Sequence, residues 1–109
     1  MNKEKVAEFY SEVWKKTTEK KLQWAETASD GVYMAPMAGV YTIKVFSYSE
    51  LPDDGQPSLS LFAEEKLVLD ITYKVFDERA LQALYDLVMG QVKGTDEKID
   101  DALGILKRL

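Results

Sequence analysis

The spacing of the apolar residues changes twice along the chain, and this limits the fold more than any other feature. Over residues 3–20 they recur every three or four positions, which is typical of a helix with one buried face. Between residues 22 and 75 they mostly alternate with polar residues, as in strands with one buried face. After residue 77 the helical spacing returns. The sequence therefore predicts a helix, a run of strands and then two helices.

The first helix is predicted over about residues 3–20. Its buried stripe comprises Val6, Phe9, Tyr10, Val13, Trp14 and Thr17. Five strands are predicted next, at residues 22–25, 32–35, 40–48, 58–63 and 67–75. Turn sequences separate them, with Asp30-Gly31 as a hairpin turn, a loop over residues 51–57 and a short turn over residues 64–66.

Capping residues delimit the last two helices. Asp77 is predicted to cap the start of the second helix, and Gly94 to end it in a left-handed conformation. Thr95 is then predicted to cap the third helix. The apolar stripes of these helices are Leu81, Leu84, Tyr85, Val88, Met89 and Val92, followed by Ile99, Ala102, Leu103 and Leu106.

We predict one α+β domain over residues 1–109. Its antiparallel sheet of about five strands, connected as a meander, has the N-terminal helix and two C-terminal helices packed on one face. Both tryptophans and four of the tyrosines fall on the predicted buried stripes. The sheet residues expected to face the helices are Tyr41, Ile43, Val45, Leu59, Leu61, Leu67, Leu69, Ile71 and Tyr73.

Composition and charge narrow the chemistry. With no Cys and no His, the chain has no thiolate nucleophile and no imidazole base or metal ligand. The net charge of −5 argues against binding to a phosphate backbone. Six lysines and four glutamates within residues 1–21 give that segment +2, which leaves −7 for the remaining 88 residues. The first helix is thus either a basic docking element or a solvated face of mixed charge.

The outer sheet face is the main candidate for a contact surface. It mixes aromatic, hydroxyl and charged side chains, so a solvated face and a protein interface both remain open. Exposed Phe46, Tyr48 and Phe62 would favour an interface. The full candidate surface is Thr42, Lys44, Phe46, Tyr48, Ser60, Phe62, Asp70, Thr72 and Lys74.

Other candidates for chemistry have structural explanations. Asp96, Glu97, Asp100 and Asp101 suit the start of a helix, and no residue supplies the remaining ligands of a metal site. Asp53-Asp54-Gly55 reads as a turn. Asp70 has no base or nucleophile near it in the sequence. No phosphate-binding loop or nucleophile elbow occurs, so neither a catalytic residue, a cofactor nor a metal is predicted.

Several segments together resemble small uncharacterised bacterial α+β proteins. The resemblance covers about residues 20–109 and implies no activity. It is carried by residues 21–27, 33–35 and 41–43, a leucine-rich hairpin, residues 84–88, and Asp96, Ile99, Leu103 and Leu106.

The leading functional hypothesis is a non-enzymatic protein-interaction module, acting through the outer sheet face or the first helix, with self-association as one form. The alternative is a small-molecule-binding or regulatory domain with a pocket between helices and sheet. Without an apolar leader or an 18-residue apolar run, we expect a soluble cytoplasmic protein that does not bind membranes.

Overall fold

The computed structural model describes residues 2–29, 31–47 and 57–109, with the side chains of Thr95 and Asp96 left aside. It confirms the α+β architecture, with one helix before and two helices after an antiparallel five-stranded sheet. The elements are α1 (Lys3–Thr18), β1 (Ala25–Glu26), β2 (Val32–Pro36), β3 (Tyr41–Phe46), β4 (Ser58–Ala63), β5 (Lys66–Ile71), α2 (Glu78–Lys93) and α3 (Thr95–Arg108).

The sheet is a meander in which each strand pairs with the next one in sequence, in the order β1-β2-β3-β4-β5. The register places Ile43 of β3 opposite Ala35 of β2 and Leu61 of β4. Leu61 in turn lies opposite Leu69 of β5. Because side chains alternate along a strand, this row fixes which face of the sheet is apolar.

Two turns show why particular residues occupy them. Gly31, which precedes β2, has φ +77°, and this left-handed conformation is easy only for glycine. Glu64 and Glu65 connect β4 to β5 with φ values of 50° and 72°, as a tight two-residue hairpin turn requires. Asp30 of the predicted hairpin turn and the Asp53-Asp54-Gly55 turn lie outside the described residues.

The core lies between the inner face of the sheet and the helices α1 and α2. Phe9, Tyr10, Trp14 and Trp24 are half-buried at its edge, and the ring centroid of Tyr10 is 4.8 Å from that of Phe76. One continuous cluster of buried side chains contains Val6, Val13, Tyr33, Ile43, Val45, Leu59, Ile71, Leu81, Leu84, Tyr85 and Val88.

Helix caps follow the sequence with one exception. The Asp77 carboxylate accepts hydrogen bonds from the backbone N–H groups of Arg79 and Ala80, as predicted for the cap of α2. Gly94 ends α2 with φ 62°. Gly94 also occupies the cap position of α3, so Thr95 is the first helical residue and the prediction that it caps the helix is wrong.

The last strand departs from the predicted pattern at both ends. A register shift between Leu61 and Phe62 sets Leu67 opposite Phe62, which places Leu67 on the outer face, with 56% of its surface exposed. The strand then ends at Ile71 instead of continuing to residue 75, so Tyr73 lies in a turn and is 44% exposed. Tyr41, also predicted to be buried, is 45% exposed at the start of β3.

Helix α3 extends from the body of the molecule. Its main neighbour is α2. Its apolar residues Ile99, Leu103 and Leu106 are 52%, 45% and 63% exposed. They do not cover the sheet as the stripes of α1 and α2 do, in contrast to the expectation from the sequence. The radius of gyration is 15.5 Å, compared with roughly 13 Å for a compact domain of this length.

Within the described residues, no helix is both long enough and apolar enough to span a bilayer.

Candidate interaction surfaces

The outer face of the sheet brings six of the nine predicted contact residues together. One row across the strands runs from Lys44 through Ser60 to Asp70, and the adjacent row contains Thr42 and Phe62. Phe46 lies in a third row, opposite Ser58. These residues lie on one face of the sheet, as the period-two pattern predicted.

Side chains on this face interact with one another. The Ser60 hydroxyl donates a 2.8 Å hydrogen bond to Asp70 Oδ1. The ammonium group of Lys44 lies 4.6 Å from the centroid of the Phe62 ring, which is a cation–π distance. Ser60 is buried, while Lys44 and Phe62 are half-buried. Two polar groups, a charged group and an aromatic ring of this face therefore already have partners within the chain.

The other three predicted residues do not extend this surface. Thr72 and Lys74 lie in the turn after β5, where the Lys74 N–H donates a 3.3 Å hydrogen bond to the Thr72 hydroxyl. The Thr72 carbonyl also accepts hydrogen bonds from the N–H groups of Val75 and Phe76, which closes the turn. Their predicted positions on the sheet are wrong because β5 ends earlier. Tyr48 lies outside the described residues.

The register shift at the start of β5 adds exposed apolar residues to the edge of the sheet. Leu67 and Val68 are each 56% exposed beside the β4–β5 turn. The sequence pattern missed both, because strict alternation placed Leu67 inside and gave no sign of the register shift. A bulge of this kind commonly disturbs the pairing edge of an outer strand.

The solvent side of α1 carries charged residues. Its buried residues Val6, Val13 and Thr17 all face the core, and Phe9 and Trp14 pack beside them. The exposed side therefore offers no large apolar side chain as an anchor for a partner, and it carries charges of both signs. This arrangement favours the solvated interpretation of the first helix over a docking element.

A groove of about 640 Å³ opens where the end of α1, the segment before β1 and the end of α2 meet. Its apolar lining includes Leu22, Trp24 and Leu87. Charged side chains of Lys20 and Glu97 also line it. The groove lies near the helix ends, whereas the predicted pocket was between the helices and the sheet.

The buried polar groups beside this groove already have partners. Trp24 Nε1 donates a 3.0 Å hydrogen bond to the Thr17 hydroxyl, which itself donates to the Val13 carbonyl at 2.7 Å. Gln91 Nε2 donates a 2.7 Å hydrogen bond to the Thr17 carbonyl. No buried side-chain nitrogen or oxygen lacks a partner in the part of the chain that the structure describes. The buried polar groups of the groove are therefore paired within the chain, and the exposed charged side chains of Lys20 and Glu97 are among the groups that a small ligand could contact.

The third surface is the apolar stripe of α3, defined here as Ile99, Leu103 and Leu106. Ile105 and Leu109, 55% and 94% exposed, extend it along one side. The sequence identified the stripe but interpreted it as core, because periodicity shows that a helix has an apolar face without showing what covers it. Contiguous exposed apolar residues of this kind mark association sites in soluble proteins.

Two tyrosines, Tyr85 in the core and Tyr10 at its edge, have raised pKa values. Burial raises the pKa of Tyr10 above its ordinary value of 10.0, and the negative charge of Asp77 adds to the effect. Burial likewise raises the pKa of Tyr85, with smaller contributions from Tyr33 and Asp86. Both shifts stabilise the neutral phenol, so neither tyrosine is activated as a base or nucleophile at neutral pH.

Acidic side chains do not converge on a metal site in the described ranges, which contain no group of three or more Asp or Glu able to hold an ion. The carboxylates of Glu97, Asp100 and Asp101 on α3 are exposed.

Comparisons with known proteins identify no relative, since no protein family, curated protein or solved structure matches the chain. The resemblance to small bacterial α+β proteins therefore stays a prediction.

Proposed function

We propose that this chain is a small, non-enzymatic protein-interaction module that contacts its partner through the apolar stripe of α3. One observation carries the proposal: Ile99, Leu103 and Leu106 lie on one face of a helix that extends from the body of the molecule, and all three are exposed. Burying such a stripe against another protein releases roughly 25 cal/mol for each Å² of apolar surface removed from water.

The outer sheet face is the second candidate for the contact surface. Its polar residues are occupied by the Ser60–Asp70 hydrogen bond and the Lys44–Phe62 contact, so a partner would have to replace interactions that already exist. Leu67 and Val68 are its most exposed apolar residues. The stripe of α3 needs no such replacement, which favours α3 over the sheet.

Non-enzymatic action is supported because the residues that catalysis commonly uses are absent or already engaged. The chain has no His and no Cys. Asp70, the carboxylate considered from the sequence, interacts with the Ser60 hydroxyl. The two tyrosines with raised pKa values stay neutral in the core.

The test compares two charge insertions at residues of similar exposure on different surfaces. Leu103→Glu places a carboxylate in the centre of the α3 stripe, while Leu67→Glu makes the same change on the outer sheet face. Each protein is immobilised and exposed to a lysate of the source cells, and its own mass is measured by light scattering. Circular dichroism and urea unfolding check that both variants fold.

We expect Leu103→Glu to lose association, with itself or with a retained protein, and Leu67→Glu to keep it. Equal association by the wild type, Leu103→Glu and Leu67→Glu would overturn the role of α3. Loss with Leu67→Glu alone would move the contact to the sheet, and the double variant Phe46→Ser/Phe62→Ser should then show the same loss.

A small-molecule-binding domain is the alternative function, and the groove of about 640 Å³ favours it. A ligand that binds only the folded state raises the unfolding temperature, and the rise grows with the ratio of ligand concentration to dissociation constant. A thermal-shift screen of nucleotides and metabolites should identify such a ligand, and the Trp24→Leu variant should abolish the shift. A screen without any shift would leave the interaction module as the only proposal.

A further inference from the structure

The charges beside the α3 stripe are arranged so that the stripe can pair with a copy of itself. Asp100 and Lys107 are seven residues apart, which is about two helical turns, so both lie on the same flank of the stripe. Asp100 is near the start of the helix and Lys107 is near its end. Opposite charges therefore occur on one flank, at opposite ends of the apolar surface.

An antiparallel pair of helices related by a two-fold axis brings the same flank of each helix together. With Leu103 packed against the partner's Leu106, Asp100 lies beside the partner's Lys107. Symmetry repeats each contact, so two apolar contacts and two opposite-charge contacts form at once. In the same register Ile99 comes next to the partner's Leu109, which is 94% exposed in the single chain.

A parallel pair does not offer this match. There the flank that carries Asp100 and Lys107 meets the opposite flank of the partner, on which Ala102 and Leu109 lie. The aligned helix dipoles would also repel each other in that arrangement, whereas antiparallel dipoles attract.

We infer that α3 is a dimerisation helix. Its apolar stripe binds α3 of a second copy of this chain in antiparallel orientation. The inference rests on the proposed function, because it names the partner of the same surface. It also accounts for the extended shape of the molecule, which measures 56 × 35 × 28 Å. Because Ile99, Leu103 and Leu106 are all exposed, the stripe is accessible to a second α3.

The contact is confined to one short helix from each copy. Fourteen residues span about 21 Å, which places the interface at the small end of the range for specific complexes. We therefore expect a dimer that dissociates on dilution. Sedimentation of the full chain should give a mass that rises with concentration from 12.4 kDa towards twice that value.

The first variants test the stripe and its charges. Leu103→Glu places two carboxylates in the interface and should raise the dissociation constant by about a hundredfold or more. Asp100→Lys and Lys107→Asp each turn two attractions into repulsions, and each should raise the constant about tenfold. The double variant Asp100→Lys/Lys107→Asp restores opposite charges and should recover the wild-type constant. Asp101→Lys, seven residues from Arg108 on the outer side of the helix, is the matched control and should have little effect.

Disulfide trapping tests the orientation, since the wild-type chain has no cysteine that could compete. Ile99→Cys and Leu109→Cys proteins should form a mixed disulfide when combined and oxidised, because these positions meet in the antiparallel register. Ile99→Cys alone should not cross-link, because its two copies are then about 15 Å apart along the helix axes. Efficient cross-linking of Ile99→Cys alone would show a parallel pair and overturn the arrangement.

The outcomes separate this inference from the proposed function. A wild-type chain that stays monomeric at every concentration, yet binds another protein in a way that Leu103→Glu abolishes, would overturn the dimer and keep the interaction module. A dimer that Leu103→Glu leaves intact would overturn the role of the α3 stripe itself. A dimer lost with Leu103→Glu but not restored by the double charge reversal would overturn the Asp100–Lys107 pairing.

Discussion

The side chain of Gln91 donates a 2.7 Å hydrogen bond from Nε2 to the main-chain carbonyl of Thr17, so the last turn of α2 is tied to the end of α1. The N–H of Lys20 donates to the same carbonyl at 3.0 Å. This junction lies immediately before Gly94, where the chain turns from α2 into α3. It therefore helps to define the direction in which α3 leaves the body.

Replacing Gln91 tests this junction. Gln91→Ala removes one hydrogen bond between two helices while the Lys20 N–H still satisfies the carbonyl, so we expect a loss of about 1 kcal/mol in the free energy of unfolding. Urea denaturation measures the change. Gln82→Ala, which removes an exposed Gln82–Asp86 hydrogen bond within α2, is the control and should cost less. An equal loss in both variants would show that the link to Thr17 contributes nothing of its own.

The hydroxyl of Thr17 is the second testable contact, because it is fully buried and accepts the indole N–H of Trp24. Thr17→Val keeps the shape but leaves that N–H without its acceptor, and we expect it to cost roughly 1–3 kcal/mol. Thr18→Val removes an exposed hydroxyl at the neighbouring position and should change the unfolding free energy by less. Urea unfolding followed by tryptophan fluorescence measures both variants. Equal stability would contradict a stabilising role for the Trp24–Thr17 hydrogen bond.

Alanine substitutions at Gly39 and Gly31 distinguish the cost of backbone strain from the cost of a steric clash. Gly39→Ala, at φ +81° with open space around the added Cβ, should cost about 1–2 kcal/mol through the left-handed conformation alone. Gly31→Ala adds the same strain and also brings its Cβ within 2.5 Å of the Ser47 carbonyl oxygen, next to the β2–β3 pairing. We expect Gly31→Ala to be clearly the more destabilising variant in urea or thermal unfolding. Equal costs would mean that the hairpin shifts to accommodate the methyl group.

Alkaline pH should destabilise the fold through Tyr10 and Tyr85. The pKa values of Tyr10 and Tyr85 are raised above 10.0 in the folded state, so the folded chain holds protons that the unfolded chain releases. Their contribution to stability is complete below pH 10 and is lost as the pH rises through the raised folded pKa values.

The measurement is the free energy of unfolding as the pH is raised above about 10. Tyr10→Phe/Tyr85→Phe removes both titrating groups, so its stability should decline less steeply than that of the wild type. Tyr73→Phe, at an exposed position, is the control and should follow the wild-type curve. Identical slopes for the double variant and the wild type would contradict the role of burial. Tyr10→Phe also loses the hydrogen bond that the Tyr10 hydroxyl donates to the Ala80 carbonyl, so the slopes are compared and not the absolute stabilities.

Local pattern alone predicted much of the fold. Val6 and Val13 of α1, and Leu81, Leu84 and Val88 of α2, are buried where helical periodicity placed them. Asp77 caps α2 because a carboxylate at that position satisfies N–H groups that the first helical turn leaves unpaired. On the outer sheet face, alternation along β3 and β4 correctly grouped Thr42, Lys44, Phe46, Ser60 and Phe62. These features depend on neighbours within a few residues, which the sequence specifies directly.

Pairing between strands decided the face on which Leu67 lies and the residue at which β5 ends, which the residue pattern alone could not show. Leu67 continues the alternation of Leu69 and Ile71, yet the register shift beside Phe62 places it on the other face of the sheet. Thr72 and Lys74 also alternate correctly, but β5 ends at Ile71 and they form a turn. A register is a relation between two strands, so a one-residue shift is invisible in either strand alone and reverses the face of every side chain that it affects.

The sequence by itself determined that α3 is an amphipathic helix with Ile99, Leu103 and Leu106 on one face, because helical geometry follows from residue spacing. Only the tertiary structure decided that this face stays exposed, because covering it depends on the direction in which the chain leaves Gly94 and on the surfaces that this direction brings near. Asp100 and Lys107 were likewise visible as charges in the sequence. Their relation to each other becomes apparent only with the finding that the apolar stripe beside them is exposed.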